Sequence, residues 1–189
     1  MLNKYTNHET FVTKLCSILA KQKVFSDKNA RELATLFKKS QKENFDNFLL
    51  EDGFVSKEQL LDALSMYFQT PAFDVSGYFF NHELVIIFPK DELHRYACIP
   101  LWLEEDILTV VASEPNNPAV RDFINEYVDF GIELYVGIRL DITDAITEFY
   151  DRALTEVDEN GEVTAEEKEE LEEIAILGRL PGEEEEGGD

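Results

Sequence analysis

Apolar positions in the first third of the chain recur at the three- and four-residue spacing of helices packed along one side. Phe11, Leu15, Ile18 and Leu19 place a helix over residues 10–22. Ala30, Leu33, Ala34 and Phe37 place a second, capped by Ser26 or Asp27 and ending near residue 40. Phe45, Phe48 and Leu49 make a short third helix that closes at Gly53, a residue free to adopt the left-handed conformation found just after helix ends. Ser56, with Glu58 and Gln59 behind it, opens a fourth helix carrying Leu60, Leu61, Leu64 and Phe68, and Pro71 stops it. Residues 1–72 are expected to form a helical subdomain.

Past Pro71 the texture changes. Gly77 marks a turn, and the apolar run Leu84, Val85, Ile86, Ile87, Phe88 before Pro89 is too short for its period to decide between helix and strand. Residues 90–96 fit a helix, and residues 98–103 and 107–112 fit strands joined by the acidic turn Glu104, Glu105, Asp106. A helix over 117–130, a third strand over 132–138 and a closing helix over 141–152, with Ile142, Ala145, Ile146 and Phe149 inward, complete the pattern. Helices and strands mixed at these lengths predict an α+β subdomain over 73–152, with helices covering one face of a small three-stranded sheet. Residues 153–189 are charge-dominated and expected to be an acidic, largely disordered tail. Within it, Thr164 and Glu167 fit a capping box for a helix over 164–180, with Leu171, Ile174, Ala175 and Leu177 as its apolar stripe.

Charge narrows the partners. The net charge of −23 repels phosphate, which argues against nucleic acid and anionic membranes. It is unevenly spread: residues 1–42 carry nine Lys and Arg against three Asp and Glu, residues 43–150 five against twenty-one, and residues 151–189 three against sixteen. The basic front is a candidate docking face for an acidic partner or for the chain's own tail. No run of about 18 apolar residues is present and the first eight residues are polar, so direct membrane insertion and secretion are not expected and the cytoplasm is. Two cysteines, Cys16 and Cys98, each in an apolar setting, read as buried thiols of a reducing compartment.

Particular residues in the α+β part resemble the N-terminal domain of the type II secretion and type IV pilus assembly ATPases. Ile99-Pro100-Leu101, then Leu108 to Asn117 (LTVVASEPNN), then the helix from Ile142 to Tyr150 follow that family's order of a proline-bearing strand, a strand, an acidic-Pro-Asn turn and a helix ending in tyrosine. Upstream, Leu49 to Leu60 followed by Ala63 and Leu64 is similar to the family's unit of helix, glycine, turn and Glu-Gln-Leu helix. The resemblance covers roughly residues 8–152. No Gly-x-x-x-x-Gly-Lys-Ser/Thr loop occurs in the sequence, so it implies a stand-alone regulatory domain without its motor.

Some domains of this family hold cyclic di-GMP on two tandem motifs, each opening Arg-Leu-Gly and continuing with Leu, Gly, two further Leu and a closing Gln. By this resemblance the first motif begins at Lys14, Leu15 and Cys16 and keeps Leu19, with Lys23, Ala30, Ala34 and Phe37 at the later positions. The second begins at Asn44, Phe45 and Asp46, keeps Leu49, Gly53, Leu60 and Leu64, and ends at Tyr67. Both arginines are replaced, and Asp46 puts an anion where phosphates would sit. The resemblance implies a non-catalytic adaptor docking on a secretion or pilus ATPase or an assembly platform protein. The alternative it leaves open is a cyclic di-GMP or other nucleotide sensor using Lys14, Leu15, Leu19, Leu49, Gly53, Leu60 and Leu64.

Other chemistry is sparse. The three histidines, His8, His82 and His94, form no metal or catalytic motif, and no nucleophile elbow or Cys-x-x-Cys occurs, so neither an enzyme nor a bound cofactor is expected. Residues 156–167 fit much of a calcium-loop template, but Glu156 stands where Asp is usual and no second loop pairs with it. An Asn160-Gly161 turn before a Thr164-capped helix is the simpler expectation. Trp102, on a strand beside Glu104 and Glu105, is expected to pack in the core, with an interface anchor as the alternative.

Overall fold

Two helical hairpins open the structure, a computed structural model that describes residues 9–40, 42 and 44–159. The first is α1 (Glu9–Lys21) and α2 (Asp27–Lys39); the second is α3 (Phe45–Glu51) and α4 (Lys57–Phe68). Their turns are built alike. Lys23 and Gly53 both sit at positive φ, 62° and 68°. At the first turn the Lys23 N–H donates to Ala20 O (3.0 Å) and the Val24 N–H to Leu19 O (3.0 Å); at the second, Gly53 donates to Leu50 O (2.9 Å) and Phe54 to Leu49 O (2.9 Å). This is the paired bonding of a left-handed helix stop, which satisfies carbonyls the helix leaves open. Ser26 Oγ then accepts from Asn29 N, and Ser56 Oγ from Gln59 N, each at 3.2 Å, with the Gln59 side chain returning to the Ser56 N–H at 2.9 Å.

One core joins the hairpins. Phe11, Leu15, Leu19, Phe45, Phe48, Leu49 and Leu60 are each at most 1% exposed, and Val136 and Ile138 from the far end of the sheet enter the same cluster. Burying each such side chain contributes on the order of 1.5–3 kcal/mol.

The sheet has order β1-β2-β3, with β1 (Cys98–Glu104), β2 (Ile107–Ala112) and β3 (Gly131–Val136). β1 and β2 form an antiparallel hairpin; β2 and β3 run parallel, joined through α7 (Pro118–Asn125). The β1–β2 register shifts between Pro100 and Trp102. A bulge belongs there because proline cannot donate to a ladder and is tolerated on an edge strand. On the other edge, Phe73 N donates to Val136 O (2.9 Å) and Val136 N to Pro71 O (2.8 Å), which ties the end of the helical segment to β3. A Cβ on Gly137 would stand 2.6 Å from Val111 Cγ2, so the turn out of β3 has room only for glycine.

Several boundaries differ from the sequence expectation; the third strand, expected over 132–138, ends at Val136. The helix expected over 117–130 ends at Asn125, and Tyr127, whose apolar character extended the helical pattern, packs its ring on Phe88 (5.7 Å) and Phe123 (5.5 Å) from the following turn. The closing helix, α8 (Arg139–Glu159), starts two residues before the expected 141, because Leu140 packs on the helical core and the Ile142 N–H already bonds Ile138 O at 3.0 Å, and it runs past 152. The undecided run at 84–88 resolves as one helical turn, α5 (His82–Val85), ahead of α6 (Lys90–Tyr96).

The described residues up to Glu148 belong to one compact unit and those from Phe149 to Glu159 to a second. Residues 156–159 of the calcium-loop template continue α8. Its remainder, with the expected 164–180 helix, lies outside the described residues. No described helix is long and apolar enough to cross a membrane.

Candidate functional site

The residues of the two tandem motifs separate into interior and surface. Leu15, Leu19, Leu49 and Leu60 are 0% exposed and Leu64 is 2%, all within the hairpin core. Lys14 and Gly53 lie on the surface. The motif glycine has a structural role: it is the left-handed residue closing the first helix of a hairpin, taken by Gly53 in the second hairpin and by Lys23 in the first. The motif leucines hold the hairpins together.

Two grooves flank α2. One of about 370 Å³ runs between α1 and α2 over Val12, Cys16, Ala30 and Ala34, with Arg31 and Lys38 on its rim. Lys38 Nζ is 2.6 Å from Glu9 Oε1, so one of these cations is already matched by a carboxylate. The other, about 590 Å³, lies between the two hairpin turns and is lined by Val24, Phe25, Leu33, Leu36, Gly53 and Phe54, with Glu32 its charged member. Neither groove brings together the paired arginines that grip phosphate and guanine edges.

Asp46, on the first turn of α3, is 3% exposed. Backbone N–H groups of Asn47, of Asp46 itself and of Arg139 favour its charged form, as does the Arg139 charge, yet burial dominates and raises its pKa above the usual carboxylate range. Among the described residues its Oδ1 has no hydrogen-bond partner. The Arg139 guanidinium reaches Ser113 Oγ (3.3 Å), so Asp46, Arg139 and Ser113 link α3, the start of α8 and the end of β2. From the sequence Asp46 stood only as an anion at a phosphate position. Its sole signal was its place between Phe45 and Phe48 on a helix with a buried face.

The remaining candidates have quiet surroundings. Cys16 and Cys98 are free and buried; burial raises the Cys16 pKa to about 11 and that of Cys98 further. Both thiols therefore stay protonated near neutrality. His82 is exposed on α5, and His94 lies 3.3 Å from Thr147 Oγ1, its pKa lowered by burial and by Lys90. Trp102 is half-buried, packed edge-on against Phe73 (5.6 Å) and Tyr135 (5.9 Å). The described residues contain no cluster of His, Cys, Asp and Glu able to hold a metal.

Comparison with known proteins places this arrangement. The MshEN domain family matches residues 68–156. The type IV pilus assembly ATPase PilB of Myxococcus xanthus (strain DK1622) is 24% identical over 134 residues, which cover 67% of this chain and 24% of PilB. The chain thus spans about a quarter of that relative's length. A structure of MshE with cdg superposes with a TM-score of 0.57 at 21% identity, covering 72% of this chain and 98% of that one. The N-terminal domain of XpsE gives 0.49 at 17% identity, covering 71% and 92%. Residues 68–156 thus match the MshEN domain, and the chain is similar to part of a type IV pilus assembly ATPase and shares its fold with MshE.

Proposed function

We propose that this chain is a non-catalytic, regulatory adaptor of a type II secretion or type IV pilus system, acting by docking on another protein: a secretion or pilus ATPase, or an assembly platform protein. The observation that carries this reading is the burial of Leu15, Leu19, Leu49, Leu60 and Leu64. Leucines that hold two hairpins together are not free to sandwich a base, and the surface motif positions have lost both arginines. What remains is the family's fold with a surface for protein contact.

A second reading makes the chain a cyclic di-GMP sensor, favoured by the shared fold with MshE, whose structure was solved with that nucleotide. Lys14 would then act as a point charge in place of arginine, and Gly53 would admit close backbone approach.

The docking reading is tested by mixing the purified chain with a purified assembly ATPase of these systems, and separately with the cytoplasmic domain of a platform protein, and following complex formation by calorimetry and gel filtration. A saturable complex with either supports it. No complex with either, together with saturable cyclic di-GMP binding, replaces it with the sensor reading.

A further inference from the structure

The strand register identifies one face of the sheet that carries aromatic rings and acids together. Trp102, Thr109 and Glu133 stand level across the three strands, and Glu104, Ile107 and Gly131 form the row beside them. Paired residues share a face and side chains two apart along a strand return to it, so Tyr135, two beyond Glu133, lies on the same face. A ladder of rings crosses this face: Tyr78 to Phe73 at 5.2 Å, Phe73 to Trp102 at 5.6 Å, Trp102 to Tyr135 at 5.9 Å. All four are only half-buried. Next to the ladder in the chain, Phe79 is 89% exposed, and Ile107 at the open end of the face is 46% exposed.

The charged side chains on these strands are all acidic, while cations reach the face's margins from neighbouring elements, Arg121 to Ile132 O (2.9 Å) and Lys57 to Ser76 Oγ (2.6 Å). Glu104, Glu105, Asp106 and Glu133 are all exposed, and no Lys or Arg occurs within β1, the β1–β2 turn, β2 or β3. Glu105 and Asp106 also occupy two successive positive-φ positions, 47° and 62°, a turn for which Asn-Gly is the favoured pair. Carboxylates therefore stand at the open end of the face in backbone conformations that uncharged residues would take more readily.

We propose that this face docks an Arg- or Lys-rich amphipathic segment of a partner protein. Guanidinium and ammonium groups pair with the acidic rim and stack on the ring faces, and apolar side chains between them cover Ile107 and the ladder. The charge selects this occupant. Anionic lipid and nucleic acid are repelled, and so is a second copy of a chain whose net charge is −23. The proposal rests on the docking reading for the statement that the occupant is a protein. It adds the surface, built on the sheet and not on the motif leucines, and the partner's chemistry.

Trp102, the one tryptophan in the sequence, reports the test. The full chain is titrated with a synthetic peptide of alternating Arg and Leu while Trp102 emission is followed, and with the same peptide carrying Glu for Arg. The expected result is a saturable emission change with the Arg peptide alone, weakened about tenfold in Phe79→Ser or Tyr135→Ser and further in the Glu104→Lys, Glu133→Lys pair. Both serine substitutions keep the net charge, and Phe79 has little packing to lose, so circular dichroism should show the fold intact. Equal affinity for the parent chain and both serine variants would assign the binding to overall charge and overturn the proposal. So would an absent emission change, or self-association of the chain that Phe79→Ser abolishes. If the peptide fails while a secretion or pilus protein still binds, docking stands and this face is not its site.

Discussion

The first and second helical hairpins are built on one plan, with corresponding residues 30 positions apart: Leu19 and Leu49 in the core, Ser26 and Ser56 capping the second helix, Lys23 and Gly53 closing the first. They differ where the tandem motif is most exacting. At the left-handed stop the second hairpin has glycine and the first a lysine. At the third motif position the first hairpin buries the Cys16 thiol, while the second buries the Asp46 carboxylate against the start of α8. The same backbone thus carries an apolar closure in one copy and a polar tie to the sheet in the other. What the copies share serves the fold.

The largest effects expected are at the shared leucines. Leu19→Ala and Leu49→Ala should each cost about 2–5 kcal/mol in urea unfolding, as for a fully buried leucine whose site collapses poorly. A cost under about 1 kcal/mol at either would mean that its hairpin is not held as described.

Asp46 distinguishes the copies next. Its folded-state pKa is raised by burial, so its contribution to stability is fully present below the ordinary carboxylate range and is lost as pH rises through the raised value. Asp46→Asn cannot ionise. Relative to the parent it should gain stability as pH rises from the ordinary carboxylate range toward neutrality, read from urea midpoints, whereas Cys16→Ala should show no such slope there, because burial holds the thiol neutral.

At the hairpin turns the signs should oppose. Gly53→Ala should destabilise by about 1–2 kcal/mol, the cost of a left-handed side-chain-bearing residue. Lys23→Gly should stabilise by somewhat less, about 0.5–1 kcal/mol, since glycine loses more entropy on folding. Thermal melts of the two variants beside the parent check both signs. Smallest of all, Lys38→Ala should shift stability by under about 0.5 kcal/mol despite its 2.6 Å contact to Glu9, because both side chains are well exposed.

Much of this was legible in the sequence. The four hairpin helices announce themselves by period, the three strands by short apolar runs between turns, and Ser56 with Gln59 by capping chemistry. The hidden parts required tertiary context. Lys23 gives no local sign of a left-handed stop, since only its alignment with Gly53 marks it. Tyr127 read as the continuation of a helix because an aromatic packed from a turn has the same polarity as one on a helical face. The motif leucines read as remnants of a binding site, and their spacing fits a hydrophobic core just as well. Asp46 joined to Arg139, and the ring ladder from Tyr78 to Tyr135, bring together residues far apart in the chain, beyond the reach of local periodicity.

Calorimetric titration of the full chain with cyclic di-GMP, at low and moderate salt, tests the central claim most directly. The expected result is no saturable heat at either salt concentration, with the motif leucines remaining core. Saturable micromolar binding lost in Lys14→Ala would contradict it and make the chain a nucleotide sensor.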